Sequence, residues 1–303
     1  MQKGSKIWYN GKLLDWDKAY IHVLTHALHY GIGVFEGIRC YQTEQGPAIF
    51  RLHEHVKRLF NSAKMYMMNI PYGFDDVIDA IIETVKANDM PDCYIRPIAF
   101  TAYGPMGVNP LKNEIDLAIA IWKWNEYIGE EGKGIRCIIS SWRRIDPRSM
   151  PVQAKATANY ANSALARMEA LKNGYDEAIM LNIDGMVAES SAENVFIVDN
   201  GILKTPPTTA GALSGITRDT IFKIAEVNDL EYQITNITRD DLYAAEEVFL
   251  TGTAAGLKPV VEIDNRVVGD GSIGTITKEL KRLYEDIVRG RDEKFVKWLT
   301  FVK

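Results

Sequence analysis

Val152-Gln153-Ala154-Lys155-Ala156-Thr157-Ala158-Asn159-Tyr160 sets one cation among small side chains, just before a helical pattern that runs over 160–173 and stops at Gly174. Small neighbours leave room beside an amine, and an uncrowded amine is the group that forms a Schiff base with an aldehyde cofactor. Taken alone, a lysine at a helix start is more simply a solvated charge. The rest of the chain decides between the two readings.

Upstream, strand-like runs at 6–9 and 34–41 precede an amphipathic helical pattern over 53–67. A second helix over 75–88 puts Ile78, Ile81, Ile82 and Val85 on one face, and apolar alternation over 93–101 and 115–122 reads as two strands. Residues 1–122 thus read as a small α/β domain. Residues 123–134 are polar and Gly-rich and read as an interdomain loop. Residues 135–303 read as a larger α/β domain, with strands at 135–140, 177–181, 194–198 and 248–250 and helices at 160–173, 218–228 and 275–289. No internal repeat or low-complexity segment interrupts this order.

The 303 residues are 47% hydrophobic and carry a formal charge of −5, with no basic run longer than a pair such as Arg143-Arg144. That excludes the electrostatic footprint of a nucleic-acid or anionic-membrane binder and leaves small molecules as partners. Cys40, Cys93 and Cys137 are far apart and show no CxxC spacing, which argues against a disulfide framework and a zinc ribbon. The opening residues lack a signal-peptide core and no apolar stretch reaches membrane-spanning length, so the expectation is a cytoplasmic protein.

Other segments suit chemistry. Leu213-Ser214-Gly215-Ile216-Thr217-Arg218 places Ser, Gly and Thr where a loop enters a helix, a position suited to a phosphate or to an ordinary cap. The turn Thr251-Gly252-Thr253-Ala254-Ala255-Gly256 offers N–H groups and a hydroxyl to an anion, or is a turn without a ligand. Glu189 and Glu193 read as part of a polar loop, where an unremarkable role would leave at least one of them solvated. In Tyr94-Ile95-Arg96-Pro97, strand alternation puts Tyr94 and Arg96 on one face, suited to a carboxylate; the plain alternative is an edge-strand arginine. His22, His26 and His29 have helical spacing but no carboxylate partner, so no metal site is assigned. Gly31-Ile32-Gly33 is only a fragment of a dinucleotide fingerprint.

Together these segments resemble the fold-type IV pyridoxal phosphate enzymes, and within them the branched-chain amino acid aminotransferases. The markers stand in order over nearly the whole chain: His29 to Arg39, His55-Val56-Lys57-Arg58-Leu59, Tyr94 to Pro97, Gly107-Val108-Asn109-Pro110, Lys155 to Tyr160, Glu189 with Glu193-Asn194, Leu213 to Arg218, and Gly252 to Ala255. The resemblance implies a small N-terminal α/β domain and a larger C-terminal pseudo-barrel domain, with pyridoxal 5'-phosphate between them. It implies Lys155 as the amine that joins the cofactor and carries the proton of the reaction. Glu189 is implied to face the pyridine nitrogen, with Glu193 structural. Tyr160 is implied at the phenolic oxygen, and Arg58, Leu213, Gly215, Ile216, Thr217, Gly252 and Thr253 around the phosphate.

For substrates, amino acids and 2-oxo acids, the resemblance implies an α-carboxylate site at Thr253, Ala254 and Ala255, helped by Tyr94. Arg96 and Tyr30 are implied to meet the side-chain carboxylate of glutamate. Phe35, Gly37, Met106, Val108, Trp124 and Tyr127 are implied to shape the pocket, some of them in the neighbouring subunit of a homodimer or larger homo-oligomer. Ser190-Ser191-Ala192 and Ala158 stand where glycines are common in relatives. A D-amino acid aminotransferase, an aminodeoxychorismate-type lyase and a non-catalytic ligand-binding relative remain alternatives, although Tyr94-Ile95-Arg96-Pro97 and Gly107-Val108-Asn109-Pro110 belong to the branched-chain pattern.

Overall fold

The structure is a computed structural model that describes residues 1–124, 128–130 and 132–302. The chain forms two compact units. The first comprises Met1–Asn125, Ala154–Ala158 and Ile287–Lys303; the second comprises Glu126–Gln153 and Asn159–Asp286. The sequence carries no sign of the two late returns to the first unit.

The first unit is built on an antiparallel sheet whose main path runs Leu299–Phe301, Gly46–Phe50, Ile38–Thr43, Cys93–Thr101, Ile115–Lys123, Lys6–Tyr9 and Lys12–Asp15. Helices Leu52–Met65 and Phe74–Asn88 bury Val56, Leu59, Val77 and Ile81 against Ile38, Ile95, Leu117, Ile119 and Ile121. Each such side chain contributes roughly 1.5–3 kcal/mol on leaving water.

The strand expected over 34–41 is two strands, Gly33–Phe35 and Ile38–Thr43, both paired to Cys93–Thr101. Phe35 lies opposite Ile98 and Ile38 opposite Ile95, so the break at Glu36-Gly37 faces Arg96-Pro97. Pro97 has no N–H to give the ladder, and its carbonyl accepts the Glu36 N–H at 2.9 Å. The gap turns Glu36 into the core, where it is fully buried.

The second unit holds a mixed sheet, ordered Val187–Ser190, Glu177–Leu181, Ile135–Ile139, Gly256–Ile263, Glu247–Gly252, Asn194–Asp199, Ile202–Thr205 and Tyr232–Ile234. Ile135–Ile139 pairs in parallel with both of its neighbours. Strands buried on both faces read as unbroken apolar runs, as in Glu177-Ala-Ile-Met-Leu181. Among the described residues no helix is long and apolar enough to cross a membrane.

Candidate active site

In the first unit the segment 154–158 lies along Gly33–Phe35, joined to it by an antiparallel bridge between Ala156 and Val34. The Phe35 N–H donates to the Lys155 carbonyl at 3.0 Å, the Thr157 N–H to the Gly33 carbonyl at 2.9 Å, and Thr157 Oγ1 to the Gly31 carbonyl at 2.7 Å. The Lys155 N–H donates to Ser62 Oγ at 3.0 Å. Alternation buries Ala154 and Ala156 and turns Lys155, half-buried, to the opposite face, with its Nζ 5.2 Å from the Phe35 ring centre.

His55 and Arg58 lie three residues apart on helix Leu52–Met65 and both meet Glu36. Arg58 donates from Nε at 2.6 Å and from a terminal nitrogen at 2.8 Å, and His55 Nδ1 lies 2.7 Å from the other side of the carboxylate. Burial alone would push the Glu36 carboxyl up. The Arg58 guanidinium and His55 outweigh it and hold the group well below the usual carboxylate range. Burial pushes His55 down, so it is the neutral ring that donates Nδ1–H to an acceptor-only carboxylate.

Tyr94 and Arg96 share one face of Cys93–Thr101, as alternation requires, and Arg96 donates to the Tyr94 hydroxyl at 3.0 Å. The strand is paired on both sides, so Arg96 is not an edge arginine. Its guanidinium lies 4.6 Å from the Phe35 ring centre, 5.3 Å from Tyr94 and 5.6 Å from Trp122, and its buried Nε has no hydrogen-bond partner among the described residues. Tyr94 packs on Trp122 and edge-on to Trp124, each at 5.0 Å. A Cβ on Gly37 would overlap the Tyr94 hydroxyl, so glycine is needed there.

Tyr30, Met106 and Val108 are exposed, and among the described residues no ring contact or hydrogen bond joins them to Arg96 or Tyr94. Tyr30 packs on His26, whose ring nitrogens lie 3.0 Å from Thr101 Oγ1 and 2.7 Å from the Gly107 carbonyl. Tyr127 lies outside the described residues.

In the second unit Glu189 is in strand Val187–Ser190 rather than in a loop, and both it and Glu193 are buried. The solvated alternative fails for both. Glu189 Oε1 pairs with Arg144 at 3.0 Å, and Oε2 accepts the Leu213 N–H at 3.0 Å and Asn194 Nδ2 at 3.3 Å. Asn194 also donates to the Leu213 carbonyl at 2.9 Å, tying this carboxylate to the turn before helix Ile216–Val227. The helix starts two residues before the expected 218, so Ile216 and Thr217 form its first turn. Gly215 is its N-cap and supplies no side-chain bond, and a Cβ there would overlap Asn194 Oδ1. Thr253, Ala254 and Ala255 form the turn joining the paired strands Glu247–Gly252 and Gly256–Ile263. Tyr160 is half-buried in the first turn of helix Asn159–Lys172.

Residues 33–263 match the family described as amino-transferase class IV. The chain belongs to the class IV aminotransferases. Among relatives of this family, the branched-chain-amino-acid aminotransferase of Pseudomonas aeruginosa is 44% identical over 299 residues, covering 98% of this chain and 97% of the relative. The crystal structure of the T.th. branched-chain amino acid aminotransferase complexed with N-(5'-phosphopyridoxyl)-L-glutamate aligns with TM-score 0.96 at 46% identity, covering all of both chains. The same enzyme with pyridoxamine 5'-phosphate aligns with TM-score 0.97 at 47% identity, again over all of both chains. The expected fold class, α/β with the fold-type IV arrangement, therefore holds.

Four residues around the family's motifs escape the sequence reading. Glu36, His55 and Arg144 are charged or polar residues whose total burial leaves no mark in composition. Trp122 had a signal, because it sits two residues before Trp124 and opposite Tyr94 across the ladder.

Proposed function

We propose that this chain is a branched-chain-amino-acid aminotransferase that uses pyridoxal 5'-phosphate to pass the amino group of L-leucine, L-isoleucine or L-valine to 2-oxoglutarate, giving branched 2-oxo acids and L-glutamate. The full-length likeness to aminotransferases of that name carries the reading.

The donor set fits the cofactor. The glycine-capped start of helix Ile216–Val227 suits a phosphate, Arg58 adds a guanidinium held in place by Glu36, and the buried Glu189 carboxylate suits a protonated ring nitrogen. Bound there, pyridoxal phosphate supplies an electron-accepting ring. Lys155 would be the amine that holds it, and that amine would also carry the proton taken from the substrate α-carbon. Glu189 keeps the ring nitrogen protonated, while Arg144 and Asn194 fix its carboxylate. Tyr160 serves the phenolic oxygen. The phosphate is held by Arg58, Ile216, Thr217 and Thr253, with Leu213, Gly215 and Gly252 shaping the turns.

The N–H groups of Thr253 and Ala254, beside Ala255, take the α-carboxylate with Tyr94. Arg96, whose Nε has no hydrogen-bond partner among the described residues, takes the side-chain carboxylate of glutamate, and the rings of Phe35, Tyr94 and Trp124 meet an aliphatic side chain. The enzyme is a homodimer or larger homo-oligomer in the cytoplasm. In support, Tyr20, Val23, Leu28, Tyr103, Val108 and Leu111 are exposed, on two segments linked through a Thr25–Tyr103 bridge and the contact of His26 with Gly107.

The visible spectrum of the protein with pyridoxal phosphate tests the reading. L-leucine should bleach the long-wavelength band and 2-oxoglutarate should restore it, while D-alanine leaves it unchanged. Bleaching by D-alanine and not by L-leucine points to a D-amino acid enzyme. No band at all sinks the cofactor assignment.

A further inference from the structure

Behind Glu189, in the second unit, lies a set of charges that the reaction as described does not use. Glu193 and Glu177 are both buried. Glu177 pairs with Arg167 and accepts the Ala178 N–H at 2.7 Å. Glu193 accepts the Ser190 hydroxyl, and its own N–H donates to Ser190 Oγ at 2.8 Å. The Ser190 N–H returns to the Glu193 carbonyl at 2.7 Å, and Ser191 reaches the Glu177 carboxyl with its side chain and the Ala178 carbonyl with its N–H. So Ser190 and Ser191 are each tied to a buried glutamate. On its other side Glu193 packs on the strand end before the Thr253 turn, where a Cβ on Gly252 would lie 3.0 Å from Glu193 Cγ.

We propose that Glu193 is a positioning residue of the aminotransferase site. It holds the backbone of Glu189-Ser190 on one side and the Gly252-Thr253 turn on the other, as the proton-carrying member of a carboxyl pair with Glu177. The proposal rests on the roles given above to Glu189 and Thr253. One guanidinium compensates one carboxylate, and a second negative charge in the same dry space is costly, so the pair keeps a proton. Glu177 has the direct Arg167 contact and the Ala178 N–H, which leaves the proton to Glu193. Burial, and then Glu177, push the Glu193 carboxyl up to about 8. Among the described residues, the charged or titratable groups facing it are Glu177 from its strand, Arg167 from helix Asn159–Lys172 and the Cys137 thiol from Ile135–Ile139; the hairpin presents the uncharged Gly252.

The direction with pH follows. Below the ordinary value of 4.5 the carboxyl is protonated in both the folded and the unfolded chain. Between there and about 8 only the folded chain keeps the proton, so the stability it contributes declines as pH rises and is lost above the folded value. Glu193→Gln, a neutral stand-in for the protonated acid, removes this dependence.

The test uses the full-length chain. Pyridoxal phosphate is titrated into cofactor-free wild type, Glu193→Gln and Glu193→Ala from about pH 6 to about pH 9.5, and the melting temperature of each is followed over the same range. The wild-type dissociation constant should rise about fivefold or more around pH 8. Glu193→Gln should stay within about threefold of wild type at neutral pH and lack that rise, with a melting temperature that gains on wild type as pH increases. Glu193→Ala should bind at least about tenfold more weakly at neutral pH.

Parallel pH profiles for wild type and Glu193→Gln overturn the proposal, as does an alanine variant that binds like wild type. Should Glu193→Ala fail to fold, the comparison with Glu193→Gln decides alone. A wild type that binds no pyridoxal phosphate overturns the aminotransferase reading and this proposal with it. Parallel profiles in a wild type that binds the cofactor and turns over L-leucine leave that reading standing and remove only the role of Glu193.

Discussion

Arg58 can serve a phosphate only if its guanidinium is held still, and Glu36 is what holds it. The acid is wholly buried, with its charge shared between Arg58 and His55. Replacing it by glutamine leaves the Arg58 charge, whose side chain is only 14% exposed, without its counter-ion. Breaking a buried pair from one side typically costs about 3–5 kcal/mol. Glu36→Gln should therefore lower stability in chemical denaturation by about that amount and weaken pyridoxal phosphate binding about tenfold or more. Unchanged melts and unchanged cofactor affinity would remove Glu36 from the site. Its folded-state carboxyl lies below the ordinary 4.5, so this stabilisation is full above that pH and is lost as pH falls toward the folded value. None of this is legible from sequence, where a buried acid and a solvated one are the same letter. Lys155 was legible because its neighbours are small, and Glu189 because a family motif surrounds it; the Arg144 that pins Glu189 entered the sequence only as half of a basic pair.

At the scale of elements, period and length served well where a segment has one clear face. The strands Cys93–Thr101 and Glu177–Leu181 have the expected ends, and the long helices begin or end within a residue or two of expectation. Short pairings such as Lys12–Asp15, Ile202–Thr205 and Leu299–Phe301 passed unread, because three or four residues carry too little alternation, and the partner of Leu299–Phe301 lies some two hundred and fifty residues away at about Gly46–Phe50. Non-local pairing matters most at 154–158, which read as the approach to a helix and is held to Gly33–Phe35 through a β-bridge between Val34 and Ala156. A hydrogen bond from outside that pairing also holds it, donated by the Lys155 N–H to Ser62 Oγ on helix Leu52–Met65. Ser62→Ala removes the side-chain acceptor of the part-buried Lys155 N–H, which costs about 1–3 kcal/mol. The expected result is a melting temperature lowered by several degrees and a kcat reduced several-fold, with KM for L-leucine little changed. A variant with wild-type kcat would show that the backbone of Lys155 does not need this anchor.

For the whole molecule, local patterning shows that two bodies exist but not which body each segment joins. Ala154–Ala158 and Ile287–Lys303 belong to the first unit although the sequence around both belongs to the second, so Lys155 rides on the unit that carries Arg58. The surface is also a property of the whole, and one part of it is unlike a monomer. Tyr20 is 80% exposed and Val108 82%, and they stand with Val23, Leu28, Tyr103 and Leu111 on two touching segments of the first unit. Scattered apolar residues need no cause, but a concentration of large ones on adjoining loops marks an interaction surface. Its chemistry, apolar with aromatic rings and little charge, suits a second copy of the same surface about a two-fold axis. Sedimentation equilibrium should therefore find a dimer or larger at micromolar concentration. Val108→Asp together with Leu28→Asp should shift the population toward monomer, because each buries a charge in the interface without a partner. If Tyr30, Met106 or Val108 completes the neighbouring pocket, turnover of L-leucine by that variant should fall in step with the loss of dimer, at unchanged pyridoxal phosphate affinity. A fully active wild-type monomer would contradict the assembly and leave those three residues without a role in the site.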